Sequence, residues 1–264
     1  MKPELLPANF DTRLGDAIEQ FWATRGSSKV KQSQGGTRDA VLGGQNMNGF
    51  VDLVREVARH CGLPDESVHS RTPQLVLPGY FRATKNWDVL VVHKRRLLAV
   101  FEFKSQVGSF GNNLNNRSEE VIGSAADLWV AHHHRAFSDG PRGDGLRVAE
   151  PTAYETPVSL LNPDLISDPR PPFLGWLMLL EDCAASRAPV SVREPHFKVF
   201  NEFRNASYAE RYRILCERLV ERQLYAAAAL VLTSGGEREH VVLSDATSPH
   251  NLFREFAGRM LAAG

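Results

Sequence analysis

The chain has 264 residues, 42% of them hydrophobic and 23% charged, which fits a globular protein and excludes a disordered or fibrous one. Its 31 basic and 31 acidic residues cancel, which argues against a generic DNA-coating protein whose affinity comes from neutralising phosphates. An enzyme that needs only a local basic surface stays open: seven of the basic residues are lysine and the rest arginine, a bias that suits bidentate phosphate and guanine contacts but that a GC-rich genome also produces.

The N-terminal stretch MKPELLPANF has no apolar core of signal-peptide length, and a cytoplasmic location is expected. Residues 11–23 carry helical spacing through Leu14, Ala17, Ile18 and Phe21. A glycine-rich stretch, SQGGTRDAVLGGQN at 33–46, reads either as a loop that closes on a ligand or as a plain connector. MNGFVDLVREVARHCGL then predicts an amphipathic helix, with Phe50, Leu53, Val54, Val57 and Ala58 on one face and Gly62 as its stop. Strands are expected at 74–81, 87–93 and 97–104, the last two joined as a hairpin across His93–Arg96. A helix follows from about Arg117 to about His133, with Asn116 as N-cap and Glu119 completing a capping box.

After a proline-rich connection, PPFLGWLMLLEDC holds a buried strand suited to a sheet centre, and its apolar core is too short to span a membrane. YAERYRILCERLVERQ at 208–223 predicts a helix, and AALVLTS a further strand. The three cysteines, Cys61, Cys183 and Cys216, lie far apart and are expected as buried thiols, neither bridged nor ligating zinc. The order predicts an α/β fold with a central mixed sheet flanked by helices. No linker divides it, so one domain over 1–264 is expected, its catalytic core at about 47–235.

One strand is anomalous. In LLAVFEFK, alternation puts Ala99, Phe101 and Phe103 on one face and Val100, Glu102 and Lys104 on the other. Asp88 is the only acid of the preceding strand, and hairpin pairing would bring it near Glu102. Two neighbouring carboxylates repel and raise a pKa, which a hard divalent cation relieves. Magnesium there could polarise a phosphoryl oxygen while Lys104 positions water or stabilises developing charge. Acid-x-Lys alone is weak, since about one chance match is expected in a chain of this composition. From the residues alone, a structural Glu102–Lys104 ion pair remains the competing reading.

The segments SQGG, VLGGQNMNGF, LPGYFRATKNWDVLV, EFKSQVGSFGNNLNNRSEEVIGSAADL, PPFLGWLMLLEDC, PHFKVF and ASYAERYRILCERL resemble the XhoI-type restriction endonucleases, members of the PD-(D/E)XK nuclease superfamily. They span most of the chain from about 20 to about 220. The resemblance implies a restriction-endonuclease-like fold, with Asp88 and Glu102 as metal ligands, the Phe103 carbonyl as a further ligand and Lys104 as the catalytic lysine. Trp87 stands where the superfamily pattern has proline. It also implies Mg2+, a homodimer, double-stranded DNA cut at CTCGAG with four-base 5′ overhangs, and a cognate DNA methyltransferase that protects the host.

Around this set, Arg82, Lys85 and Asn86 are expected to hold scissile-strand phosphates, or else to form a solvated loop. Ser105 and Gln106 follow the lysine and could contact water or phosphate. Asn112, Asn113, Asn115 and Arg117 open a helix, where phosphate binding competes with ordinary turn chemistry. Glu56 is either a further acid or a surface charge beside an arginine, and His132, His133 and His134 read as a helix C-terminus. The reading is a magnesium-dependent type II restriction endonuclease. The alternatives are a structure-selective repair or recombination nuclease, and a DNA-binding module that has lost its chemistry.

Overall fold

A computed structural model of the chain describes residues 4–31, 46–71, 74–94, 96–137, 170–194 and 196–263, the side chains of 26–31 excepted. The glycine-rich stretch, apart from Asn46, and the proline-rich connection up to residue 169 lie outside the described residues. In chain order the elements are α1 (Phe10–Lys31), α2 (Asn48–His60), β1 (Val68–His69), β2 (Val76–Pro78), β3 (Thr84–Asn86), β4 (Val89–His93), β5 (Arg96–Gln106), α3 (Phe110–His133), β6 (Phe173–Glu181), α4 (Ala184–Arg187), α5 (Tyr208–Glu221), β7 (Ala227–Thr233) and α6 (Pro249–Leu261).

Five strands form one mixed sheet in the order β1-β4-β5-β6-β7, and β2 and β3 pair as a separate ribbon. β4 and β5 make the expected antiparallel hairpin, with Val89 opposite Phe101, whereas β5, β6 and β7 run parallel. Parallel strands are covered on both faces and therefore apolar throughout. The two faces of β6 show it: Phe173, Leu177 and Leu179 join one core, Leu174, Trp176, Met178 and Leu180 the other.

The first core is closed by α1, α2 and α6, which bury Leu14, Ile18 and Phe21, then Phe50, Leu53 and Val57, then Leu252, Phe253 and Phe256 at helical spacing. Phe101 and Phe103 of β5 face this core. Gly49 lets α2 press on α1, since a Cβ there would stand 2.6 Å from Ala17 Cα. α2 ends as predicted: Gly62 takes φ +87°, its N–H reaches the Arg59 carbonyl and the Leu63 N–H reaches Ala58. The second core is closed by α3 and α5 with the β2–β3 ribbon, through Val121, Ala125, Leu128, Tyr212, Leu219 and Leu77.

Three sequence expectations need correction. Asn116 is not an N-cap: α3 begins at Phe110, because Gly108 and Ser109 both take left-handed backbone and turn the chain into the helix about two turns earlier. Of the strand expected at 74–81, only Val76–Pro78 is extended; Gly79 starts a turn into β3. The cysteines are free, as expected, but only Cys216 is buried, with Cys61 and Cys183 partly exposed. No helix among the described residues is long and apolar enough to cross a membrane.

Candidate active site

The β4–β5 register brings the acids together. Val89 pairs with Phe101, so Asp88, one step before β4, sits across from Glu102, and the Asp88 N–H donates to the Phe101 carbonyl (3.2 Å). The Asp88 carboxylate then curls round the strand end and accepts the Phe103 N–H at Oδ2 (2.7 Å). N–H and C=O of one strand residue point to the same edge. The Phe103 carbonyl therefore faces the side where Asp88 lies.

Glu102 is 1% exposed. Lys85 Nζ of β3 lies 2.9 Å and Lys104 Nζ 3.2 Å from its Oε1, and Tyr225 Oη lies 3.3 Å from its Oε2. Lys85 also rests over the Trp87 ring at 4.4 Å. Such a cluster is not a stability device: replacing a buried ion pair with well-packed apolar groups is commonly neutral or stabilising by about 1–4 kcal/mol. A buried carboxylate with two lysines around it is therefore a candidate for chemistry.

Lys104 bridges two acids, since Glu120 Oε1 of α3 is 2.7 Å from its Nζ, and Arg117 Nη1 holds Glu120 Oε2 at 2.6 Å. Burial alone would lower the lysine pKa, but Glu102 and Glu120 outweigh it and raise it, which keeps the ammonium charged. Glu120 is partly buried, yet Lys104 and Arg117 together hold its pKa below the usual value. Burial pushes the Asp88 pKa up, against the Phe103 N–H and the Lys104 charge, which work to lower it. A cation beside Asp88 would relieve that desolvation.

Asp88, Glu102 and the Phe103 carbonyl form a hard oxygen donor set of the size magnesium uses when water and a substrate phosphate fill the rest. The residues fit a divalent cation: Asp88 takes the Phe103 N–H at Oδ2, and Glu102 would give up part of its hold on the two lysines. Among the described residues no cluster of three His, Cys, Asp or Glu side chains is present, so the carboxylate pair would rely on that carbonyl.

A cavity of about 440 Å³ opens beside this set, lined by Asp88, Lys104, Asn113 and Arg117 among others, and by Phe103, Ser105 and Gln106 of β5. Other expected contacts lie elsewhere. Arg82 Nε is 2.9 Å from Asp127 Oδ2, and Asp127 Oδ1 accepts the N–H groups of Tyr80 and Phe81, so this arginine braces the 79–82 turn against α3. Asn86 and Asn112 are exposed, and Asn115 lines an apolar groove on the other side of α3. Gln106 is 4% exposed and bonds the Gly108 carbonyl. Glu56 resolves to the plainer reading, held by Arg13 (3.2 Å) and Asn9 (2.8 Å). His132 and His133 form the last turn of α3, and His134 stacks on Tyr80. Glu120 and Tyr225 went unnoticed in the sequence, and only Glu120, one helical turn after Arg117, had a local signal.

The profile of the family described as restriction endonuclease XhoI matches residues 26–144 and 149–245. The chain is 43% identical over 218 residues to the type II restriction enzyme XhoI of Xanthomonas vasicola, covering 81% of this chain and 76% of that protein. It is 43% identical over 213 residues to the type II restriction enzyme BstVI of Geobacillus stearothermophilus, covering 77% and 81%. With the type II restriction enzyme AbrI of Azospirillum brasilense it shares 39% over 196 residues, or 72% and 75%. No solved structure matches it. The hairpin carboxylates, the lysine beside them and this similarity along most of the chain agree: the protein belongs to the XhoI restriction endonuclease family.

Proposed function

We propose that this restriction endonuclease makes double-strand cuts in palindromic DNA by magnesium-dependent phosphodiester hydrolysis, with CTCGAG as its target and four-base 5′ overhangs as its product. The observation that carries the reading is the convergence of three groups: Asp88 and Lys104 line one cleft, and Glu102 lies buried behind them, 3.2 Å from the lysine Nζ. Asp88, Glu102 and the Phe103 carbonyl would hold the cation, which supplies Lewis-acid activation of water and of the phosphoryl oxygen. Lys104, as an ammonium, donates hydrogen bonds to the attacking water and to charge developing on the phosphate. Glu102 orients that ammonium and Glu120 holds it from the other side. A two-fold dimer matches a palindrome, each protomer addressing one strand, and a methyltransferase of the same specificity would protect the host DNA.

Digestion of unmethylated phage DNA with Mg2+ should give discrete fragments, and sequencing their ends should return CTCGAG with uniform overhangs. Cutting only at branches or junctions would overturn the sequence-specific reading. Asp88→Asn, Glu102→Gln and Lys104→Ala should each lose at least about 10²-fold in rate while the far-ultraviolet dichroism is unchanged. Normal cutting by any of the three would remove that residue from the site.

A further inference from the structure

The cleft is also lined by parts of the chain outside the β4–β5 hairpin that hold no acidic group of the site: Arg25 of α1 and Asn46, two residues before α2. Three buried polar atoms on this cleft have no partner among the described residues, namely Arg25 Nε, Asn46 Oδ1 and Arg117 Nε. Buried polar groups are almost always satisfied, so three orphans on one surface point to something that binds there. Asn46 is only 6% exposed, which makes its unpaired amide costly in the free protein.

The chemistry of the orphans selects the ligand. The Nε–H of each arginine is a donor with no acceptor among the described residues, and no ion pair with a described carboxylate involves Arg25. Arg117 is held at Nη1 by Glu120, which fixes the guanidinium and leaves its Nε edge free. The Asn46 amide can be turned by half a rotation to offer Nδ2 in place of Oδ1, which makes a third donor. Among the lining side chains, Arg25, Lys104 and Arg117 stand against the single carboxylate of Asp88. Three donors and a local positive balance suit a group that offers only acceptors and negative charge. A phosphodiester is such a group.

We propose that Arg25, Asn46 and Arg117 form a clamp for a DNA backbone phosphate next to the scissile one, so that the N-terminal helices seat the strand that the β4–β5 hairpin cuts. The proposal rests on the nuclease reading and adds residues to it. The clamp touches the backbone and not the bases, so it governs affinity and register without reading sequence. The packing of α2 on α1 through Gly49 holds its two new members in place.

The test is steady-state cleavage of a target duplex, with Mg2+, by the full chain carrying Arg25→Ala, Asn46→Ala or Arg117→Ala, as a function of salt. Arg25→Ala should raise KM about 10- to 100-fold with kcat within a few-fold of wild type, whereas Arg117→Ala should raise KM similarly and also lower kcat, because it releases Glu120 from beside Lys104. Each should also reduce the slope of log KM against log salt by about 0.9, the value for one lost phosphate contact. Arg25→Lys should recover the slope but only part of KM, because an ammonium keeps the charge and loses the fork. Asn46→Asp should raise KM more than Asn46→Ala, by repelling the phosphate. Thermal unfolding of each variant guards against a folding defect, and Arg25→Gln, which keeps the length of the side chain, serves if Arg25→Ala is unstable. Wild-type KM and slope in the folded arginine variants would overturn the clamp. If wild-type protein cuts, Asp88→Asn does not, and those variants behave as wild type, the clamp alone falls. If wild-type protein does not cut duplex DNA, the nuclease reading falls first.

Discussion

One phenolic proton faces two acceptors at Tyr225: Glu102 Oε2 at 3.3 Å and the Val121 carbonyl at 3.2 Å. Burial, reinforced by the Glu102 charge, pushes the Tyr225 pKa well above its ordinary value, so the hydroxyl stays neutral and serves only as a donor. Tyr225→Phe removes that donor without changing the packing, and should cost about 1 kcal/mol in urea unfolding. It should also raise the Mg2+ concentration needed for half-maximal cleavage, because Glu102 loses the contact that fixes Oε2, while the rate at saturating Mg2+ falls less than tenfold. An unchanged metal midpoint would show that Tyr225 only fills the core. The meeting of Asp88, Glu102 and Lys104 could be read from the sequence because strand alternation is local and a hairpin is short. Tyr225 is 123 residues from Glu102, and Arg25 and Asn46 reach the cleft from the two N-terminal helices. Side chains brought together by tertiary packing leave no periodic mark, so these residues became visible only in the folded chain.

At the scale of elements, helix ends show how local chemistry is read well and where it misleads. α5 starts with a complete capping box: Ser207 Oγ accepts the Glu210 N–H at 3.2 Å, and Glu210 Oε2 accepts the Ser207 N–H at 2.7 Å and its hydroxyl at 2.8 Å. Ser207→Ala should destabilise the protein by about 1 kcal/mol at neutral pH. The Ser207 N–H, and after it the hydroxyl, hold the Glu210 pKa below the usual value of 4.5, so its contribution is present above that value and is lost as pH falls through the lowered folded one. The gap between wild type and Ser207→Ala in urea unfolding should therefore narrow between pH 7 and pH 3.5. A gap of constant size would mean that the hydroxyl–carboxylate bond contributes nothing. This helix was legible from its sequence pattern, and α2 from its apolar stripe and glycine stop. The start of α3 was not, because asparagines at 112–116 imitate a cap, and the actual turn is made by Gly108 and Ser109 in left-handed backbone. β3 was overlooked for another reason: Thr84–Asn86 is polar, and only its partner β2 makes it a strand. α6 carries a clear apolar stripe through Leu252, Phe253, Phe256 and Met260 that the reading by motifs passed over.

At the scale of the molecule, the sheet has two cores and a catalytic hairpin between them, and the described residues hold one carboxylate pair with its lysine. A duplex has two antiparallel strands, each with its own scissile phosphate. One chain acting alone would have to cut, release or turn, and cut again, so nicked circles would build up before linear product. A two-fold dimer places a second Asp88, Glu102 and Lys104 on the other strand and can break both in one encounter. With supercoiled plasmid carrying one target, linear product should appear without an intervening rise of nicked circles, and sedimentation should give twice the mass of 29.4 kDa. Co-expressed heterodimers of wild-type and Lys104→Ala chains should then release mainly nicked circles, because one half of each dimer binds a strand it cannot cut. Nicked circles that accumulate with wild-type protein at every concentration, together with a monomer mass, would overturn the dimer. They would leave the proposed single-strand chemistry of the β4–β5 hairpin intact, since Asp88, Glu102 and Lys104 meet within one chain.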